Sequence, residues 1–161
     1  MRAVFRFHIH KGLWISANGR YDRHTKARRT RDLREYAGKL GMFVARRHEA
    51  LRGDQTVAKI RDTAPDDPVD GPLFTETRPC SYTATVSWPS KRRSDSDNAA
   101  PTVKALLDGL RDAGVLTDDN DDVIHERTYR RGASTGQPSL YTIEFVLEDC
   151  SCPTCLESTE S

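Results

Sequence analysis

Two aspartates one residue apart, Asp95 and Asp97, stand in SDSDN at residues 94 to 98, and a second acidic cluster, DDNDD, fills residues 118 to 122. Between them run Lys104 and, four residues on, Asp108. In extended chain, residues two apart project to the same face, so Asp95 and Asp97 would converge. Two converging carboxylates suit a hard cation. Mg²⁺ takes one or two carboxylates and completes its shell with water and phosphate oxygens. Asp118 or Asp119 could add a further ligand. A lysine beside the metal, Lys104, could stabilise charge that builds on a phosphate during transfer. The competing reading is structural, because Asp and Asn are also the ordinary residues of helix caps and tight turns. Calcium is disfavoured. Asp118, Asn120 and Asp122 open like an EF-hand loop, but Val123 stands where the glycine belongs and Tyr129 where the glutamate belongs.

The elements that must position these residues are legible in the hydrophobic pattern. Val4 to His10 alternates, with Phe5, Phe7 and Ile9 on one face and Arg6, His8 and His10 on the other, as in a half-buried strand. His8 and His10 read as exposed strand residues. A loop is expected over residues 11 to 29, followed by a helix capped by Thr30 whose stripe is Leu33, Tyr36, Ala37, Leu40 and Val44. Residues 62 to 72, DTAPDDPVDGP, read as a loop. SYTATVSW, residues 81 to 88, is the clearest strand, with Tyr82, Ala84, Val86 and Trp88 on one face. It runs towards the aspartates. The next helix carries Val103, Leu106, Leu107 and Leu110, tolerates Pro101 in its first turn and ends near Gly114. Residues 123 to 130 and 141 to 147 read as strands, joined as a hairpin through residues 130 to 139. The order β-α-β-α-β-β predicts an α+β fold, one mixed sheet with two main helices packed on it.

The 161-residue chain has a net charge of only +1 but is strongly polarised. Residues 1 to 61 hold 16 Lys or Arg against 5 Asp or Glu, and the remaining 100 hold 9 against 19. A basic half suggests a polyanion, since phosphate contacts dominate nucleic-acid affinity. The basic residues concentrate in RYDRHTKARRTRDLR, residues 20 to 34, where Arg20, Arg23, Lys26, Arg28, Arg29 and Arg31 could track phosphates.

The acidic block as a whole resembles the RusA family of Holliday junction resolvases. DSDN, then Lys104, then Asp108, then AGV at residues 113 to 115, then Asp118-Asp119 follow that family's D-x-D-N, lysine, aspartate, turn and D-D order. Ser16-Ala17-Asn18, followed by Tyr21, resembles its S-x-N element. Trp14-Ile15 stand where the family usually has Pro-Pro, and Lys104 lies about three residues farther from D-x-D-N than is usual there. The resemblance covers roughly residues 4 to 147. It implies a homodimeric, Mg²⁺-dependent endodeoxyribonuclease that resolves four-way DNA junctions by paired nicks. Asp95, Asp97 and Asp119 would be the catalytic carboxylates and Lys104 the cationic helper. Asp95, Asp97 and Asp119, with Asp118 as an alternative, would hold the metal, and Asn18 would join the basic residues in DNA binding. A helix of about 12 residues is about 18 Å long. Asp97 and Asp119 lie beyond its opposite ends, so either residues 114 to 121 fold back along it or a second protomer completes the site.

The nuclease-like domain is expected over residues 1 to 148, with a Cys-containing, flexible tail over 149 to 161. Three of the four cysteines, Cys150, Cys152 and Cys155, lie in that tail, which is no disulfide framework. Zinc would need four ligands. Cys80 could supply one only if the fold brings the start of its strand to the end of the chain. No apolar run of about 18 residues is present and MRAVFRFHIHKG lacks a signal-like apolar core, so an intracellular location is expected, with no membrane partner and no small-molecule cofactor.

Overall fold

In the computed structural model, residues 1–45, 59–60, 71–91 and 95–152 are described. They form an α+β fold with strands β1 (Arg2–His10), β2 (Lys59–Ile60), β3 (Cys80–Ser87), β4 (Ile124–Arg131) and β5 (Leu140–Asp149), and helices α1 (Arg23–Ala45) and α2 (Ala100–Asp112). The sheet order is β2-β1-β5-β3-β4. β5 runs antiparallel to both β1 and β3, while β4 runs parallel to β3. β2 is a two-residue edge piece on β1. The sheet is therefore mixed, as the element order predicts.

Alternation decides which side is covered. Phe5, Phe7 and Ile9 of β1, Tyr82, Ala84 and Val86 of β3, and Ile143, Phe145 and Leu147 of β5 are buried together with Leu33 and Ala37 of α1 and Val103, Leu106, Leu107 and Leu110 of α2. Burying each such side chain is worth roughly 1.5–3 kcal/mol. A one-residue slip in any strand would turn its whole apolar set to the other face, which pins the register. The helices touch through glycine. A Cβ on Gly109 would lie 2.2 Å from the Arg34 carbonyl oxygen and 2.9 Å from the Gly38 nitrogen, so only glycine allows this approach.

Two expectations are corrected. α1 begins at Arg23 rather than near Thr30, so the basic segment is largely helix and not loop. Asp22 caps it, its Oδ1 accepting the Thr25 N–H at 2.9 Å, and Thr30 sits inside the helix with its hydroxyl donating to the Lys26 carbonyl. RHTKARRT has only one apolar residue, Ala27, so no stripe advertises these turns. Second, β4 and β5 are not a hairpin, because β3 lies between them. The parallel β3–β4 pair instead requires a crossover, which α2 supplies. Residues 62 to 70 of the expected Pro/Asp loop, and the Val44 side chain, lie outside the described residues.

β5 runs through Asp149, and residues 149 to 152 stay attached to the fold. The Asp149 N–H donates to the Met1 carbonyl and the Cys150 N–H to the Pro79 carbonyl, each at 3.0 Å. Among the described residues, no helix is long and apolar enough to cross a membrane.

Candidate functional site

The β3–α2–β4 crossover places the two acidic blocks. Asp95, Asp97 and Asn98 lie between the C-terminal end of β3 and α2. Ser96–Ala99 form a single 3₁₀ turn that leads directly into α2. Asp95 has extended backbone (φ −78°, ψ 133°) and makes no side-chain cap bond, and both Asp95 and Asp97 are exposed. Asp118 to Asp122 lie just before β4.

The S-x-N element docks on this turn. Asn18 Nδ2 donates to Asn98 Oδ1 at 2.8 Å, and the Ala17 N–H donates to the Asn98 carbonyl at 2.9 Å. One residue pair earlier, the Ile15 N–H donates to the Thr102 hydroxyl at 2.9 Å and that hydroxyl donates back to the Ile15 carbonyl at 2.8 Å. Thr102 is fully buried, so these bonds satisfy groups that would be costly to leave unpaired. Trp14 is stacked on Tyr141 with ring centroids 4.2 Å apart and meets Trp88 edge-on at 5.2 Å. Aromatic packing thus fixes the segment where the resembling family carries Pro-Pro.

Residues 114 to 121 fold back along α2. Gly114 adopts φ +78° beyond the helix end, where glycine is unstrained. The return brings Asp119 to Lys104, whose Nζ donates to Asp119 Oδ2 and, at 2.9 Å, to Asp108 Oδ1. Arg111 adds a bond to Asp119 Oδ1 at 3.3 Å. Burial pushes the Asp119 pKa up, but the Lys104 bond and the Lys104 and Arg111 charges outweigh it, so the carboxyl sits below its usual range. Burial likewise pulls Lys104 down, and its bonds to Asp119 and Asp108 carry it above its usual value. Asp118 accepts from the Asp119 N–H at 2.8 Å, and Asn120 Oδ1 accepts from the N–H groups of Asp122 and Val123. That is an Asx-type turn, the structural use of such residues.

The candidate carboxylates are therefore in two places. From Asp97 to Lys104 the backbone climbs about 12 Å along the 3₁₀ turn and the helix. Asp95, Asp97 and Asp119 do not form a three-ligand cluster; among the described residues the one such cluster is His125, Cys150 and Cys152. Asp95 and Asp97 still suit Mg²⁺, being exposed oxygen donors of the kind that ion shares with water and phosphate. Asp119 would have to exchange its lysine for a metal.

Of the basic residues, Arg20, Arg23, Lys26, Arg28 and Arg31 are exposed. Arg23, Lys26, Arg31 and Arg34 line one shallow groove with Ala27 and Thr30. Arg29 turns inward. Its Nη1 donates to the Trp14 carbonyl at 2.7 Å and its guanidinium lies 4.9 Å from the Tyr21 ring centroid. It braces the S-x-N segment against α1. The cysteine region is also organised. Cys80 pairs in register with Asp149, so the start of β3 does reach the end of β5. His125, which sequence reasoning passed over, joins Cys150 and Cys152. No spacing signal could have found it, because only strand pairing brings it there.

No protein-family model matches the chain, and no curated protein matches it either.

Proposed function

We propose that this protein is a RusA-like, Mg²⁺-dependent endodeoxyribonuclease acting on four-way DNA junctions as a homodimer. The observation that carries the reading is the union of its two separated motifs: Asn18 of S-x-N hydrogen-bonds Asn98 of D-x-D-N at 2.8 Å. Asp95 and Asp97 would hold Mg²⁺, with Asp119 completing the site either after a rearrangement on DNA binding or from the second protomer. The ion would activate water and neutralise the leaving oxygen. Lys104, shared between Asp119 and Asp108, is the cation that an incoming phosphate would draw away. Releasing it would free Asp119. Arg23, Lys26 and Arg31 would hold the arms of the junction, and Asn18 and Arg29 would position the strand-to-helix segment.

A second reading is favoured by the Lys104–Asp119 pair itself. Asp119 is already satisfied without metal, as in a protein that binds DNA without cutting it. An immobile four-way junction and a linear duplex of the same arms, each with Mg²⁺ or EDTA, separate the two. Symmetric nicks in the junction only, lost with EDTA and in Asp97→Asn, are expected. Nicks in other branched substrates as well would broaden the activity to a general branched-DNA nuclease. Tight binding with no nicks under any divalent metal would leave the binding reading standing.

A further inference from the structure

We infer that His125, Cys150 and Cys152 form a binding site for a thiophilic divalent cation of the Zn²⁺ type, separate from the acidic residues. Nδ1 or Nε2 of His125 and the two Sγ atoms all lie within 4.8 Å of one another. Bond lengths of about 2.3 Å to sulfur and 2.0–2.1 Å to nitrogen in a tetrahedral zinc site put ligand atoms about 3.6–3.8 Å apart. His125 Nδ1 and Cys152 Sγ are already 3.4 Å apart. The donors need only small side-chain rotations, because backbone placement is done.

Three features of the fold build this corner. The register of β3 and β4 shifts between Cys80 and Ser81, whose partners are Ile124 and Glu126. His125 is thus the extra residue of a bulge, a device that re-aims a side chain. The Cys150 N–H is bonded to the Pro79 carbonyl at 3.0 Å, which fixes the chain beyond β5. The Cys152 N–H then points at Cys150 Sγ at 3.4 Å, which ties that sulfur to the turn that carries Cys152. Two thiolates and an imidazole are soft to borderline donors, which select zinc over magnesium. Cys80 is close by but stays out of the set. It is fully buried and is not one of the three residues whose ligand atoms lie within 4.8 Å of one another. The three donors among the described residues leave one tetrahedral position for a further ligand. Bound metal would clamp the end of β5 to the start of β4, immediately after the Asp118–Asp122 turn. Binding would release the two thiol protons to solvent.

The test uses the untagged full chain, reduced and stripped of metal, titrated with Co²⁺ and then Zn²⁺. Expected are about one Co²⁺ per chain with cysteinate-to-cobalt charge-transfer and tetrahedral visible bands, and displacement of Co²⁺ by Zn²⁺. Cys152→Ser should clearly weaken Zn²⁺ binding and reduce the charge-transfer intensity, since it removes one of the thiolate ligands. His125→Ala should weaken binding to a similar extent while keeping that absorption. Zn²⁺ should raise the melting temperature of the wild type and not of the triple variant His125→Ala/Cys150→Ser/Cys152→Ser. Absence of charge-transfer absorption in the folded wild type would overturn the site. So would equal Zn²⁺ affinity of the wild type and the triple variant, both checked as folded by circular dichroism.

Discussion

Asn18 and Asn98 stand 80 residues apart and meet side chain to side chain at 2.8 Å. The contact ties the loop after β1 to the turn that starts α2, and it orients the segment bearing Asp95 and Asp97. Asn18 is exposed, so the bond should contribute modestly, about 0.5–1 kcal/mol of coupling. A double-mutant cycle of Asn18→Ala and Asn98→Ala in urea unfolding measures it. Coupling indistinguishable from zero would mean that the backbone bond from Ala17 and the Ile15–Thr102 bonds hold the segment without the side-chain contact.

The helix pair gives a sharper contrast. A Cβ at Gly109 would meet backbone at 2.2 Å, whereas at Gly38 it would find only the Gly109 carbonyl at an ordinary 3.5 Å. Gly109→Ala should therefore destabilise by about 1–3 kcal/mol or more, since the helices must move apart. Gly38→Ala should be neutral or stabilising by up to about 1 kcal/mol through helix propensity. Denaturant midpoints of the two variants decide it, and similar effects at both sites would refute the close approach.

Much of this fold is written in residue patterns that act locally. Phe5, Phe7 and Ile9, or Tyr82, Ala84 and Val86, state strand and face at once, because alternation is a property of the strand alone. The first turns of α1 are illegible for the converse reason. Their stability comes from the Asp22 cap and from Arg29 reaching the Trp14 carbonyl, and neither leaves an apolar period. The supposed hairpin failed because sequence adjacency of β4 and β5 says nothing of β3 inserting between them. At the site, the pairing of Lys104 with Asp119 needed the fold-back after Gly114, which the glycine announces but does not direct. His125 was invisible, since its partners lie on another strand's far end.

The Lys104–Asp119 pair should leave a pH signature. The Asp119 carboxyl is held below its usual 3.8, so its contribution is present above that value and is lost as pH falls through the lower folded pKa. The Lys104 pKa is raised above its usual 10.5, so its contribution is complete below that value and is lost as pH rises through the higher folded pKa. Across neutral pH the pair is fully formed. Because the lysine side chain is 59% exposed, solvent screening limits the pair to about 1 kcal/mol or below. Asp119→Asn should therefore cost a small, constant amount near neutrality, and the difference from wild type should shrink in acid. Urea unfolding of both proteins from pH 7 down to about 3 tests this, with the usual carboxyl value of 3.8 as the expected onset. A difference that grows in acid would reverse the assigned sign.

The inward turn of Arg29 separates it from the other basic residues of α1, and the separation is measurable on DNA. Arg31 is 73% exposed at its side chain and pairs with Asp32, its neighbour in the helix. If it contacts a phosphate, Arg31→Ala should lower affinity and reduce the slope of log K against log salt by about 1. Arg29 cannot do the same without leaving the Trp14 carbonyl and the face of Tyr21. Arg29→Ala should instead destabilise the protein by about 1–3 kcal/mol, by leaving a part-buried carbonyl unpaired, and should keep the wild-type salt slope while the chain is folded. Fluorescence anisotropy on a junction at several salt concentrations, paired with urea unfolding, reads both effects. A reduced slope for Arg29→Ala with unchanged stability would place that guanidinium on DNA and remove its role as a brace for the S-x-N segment.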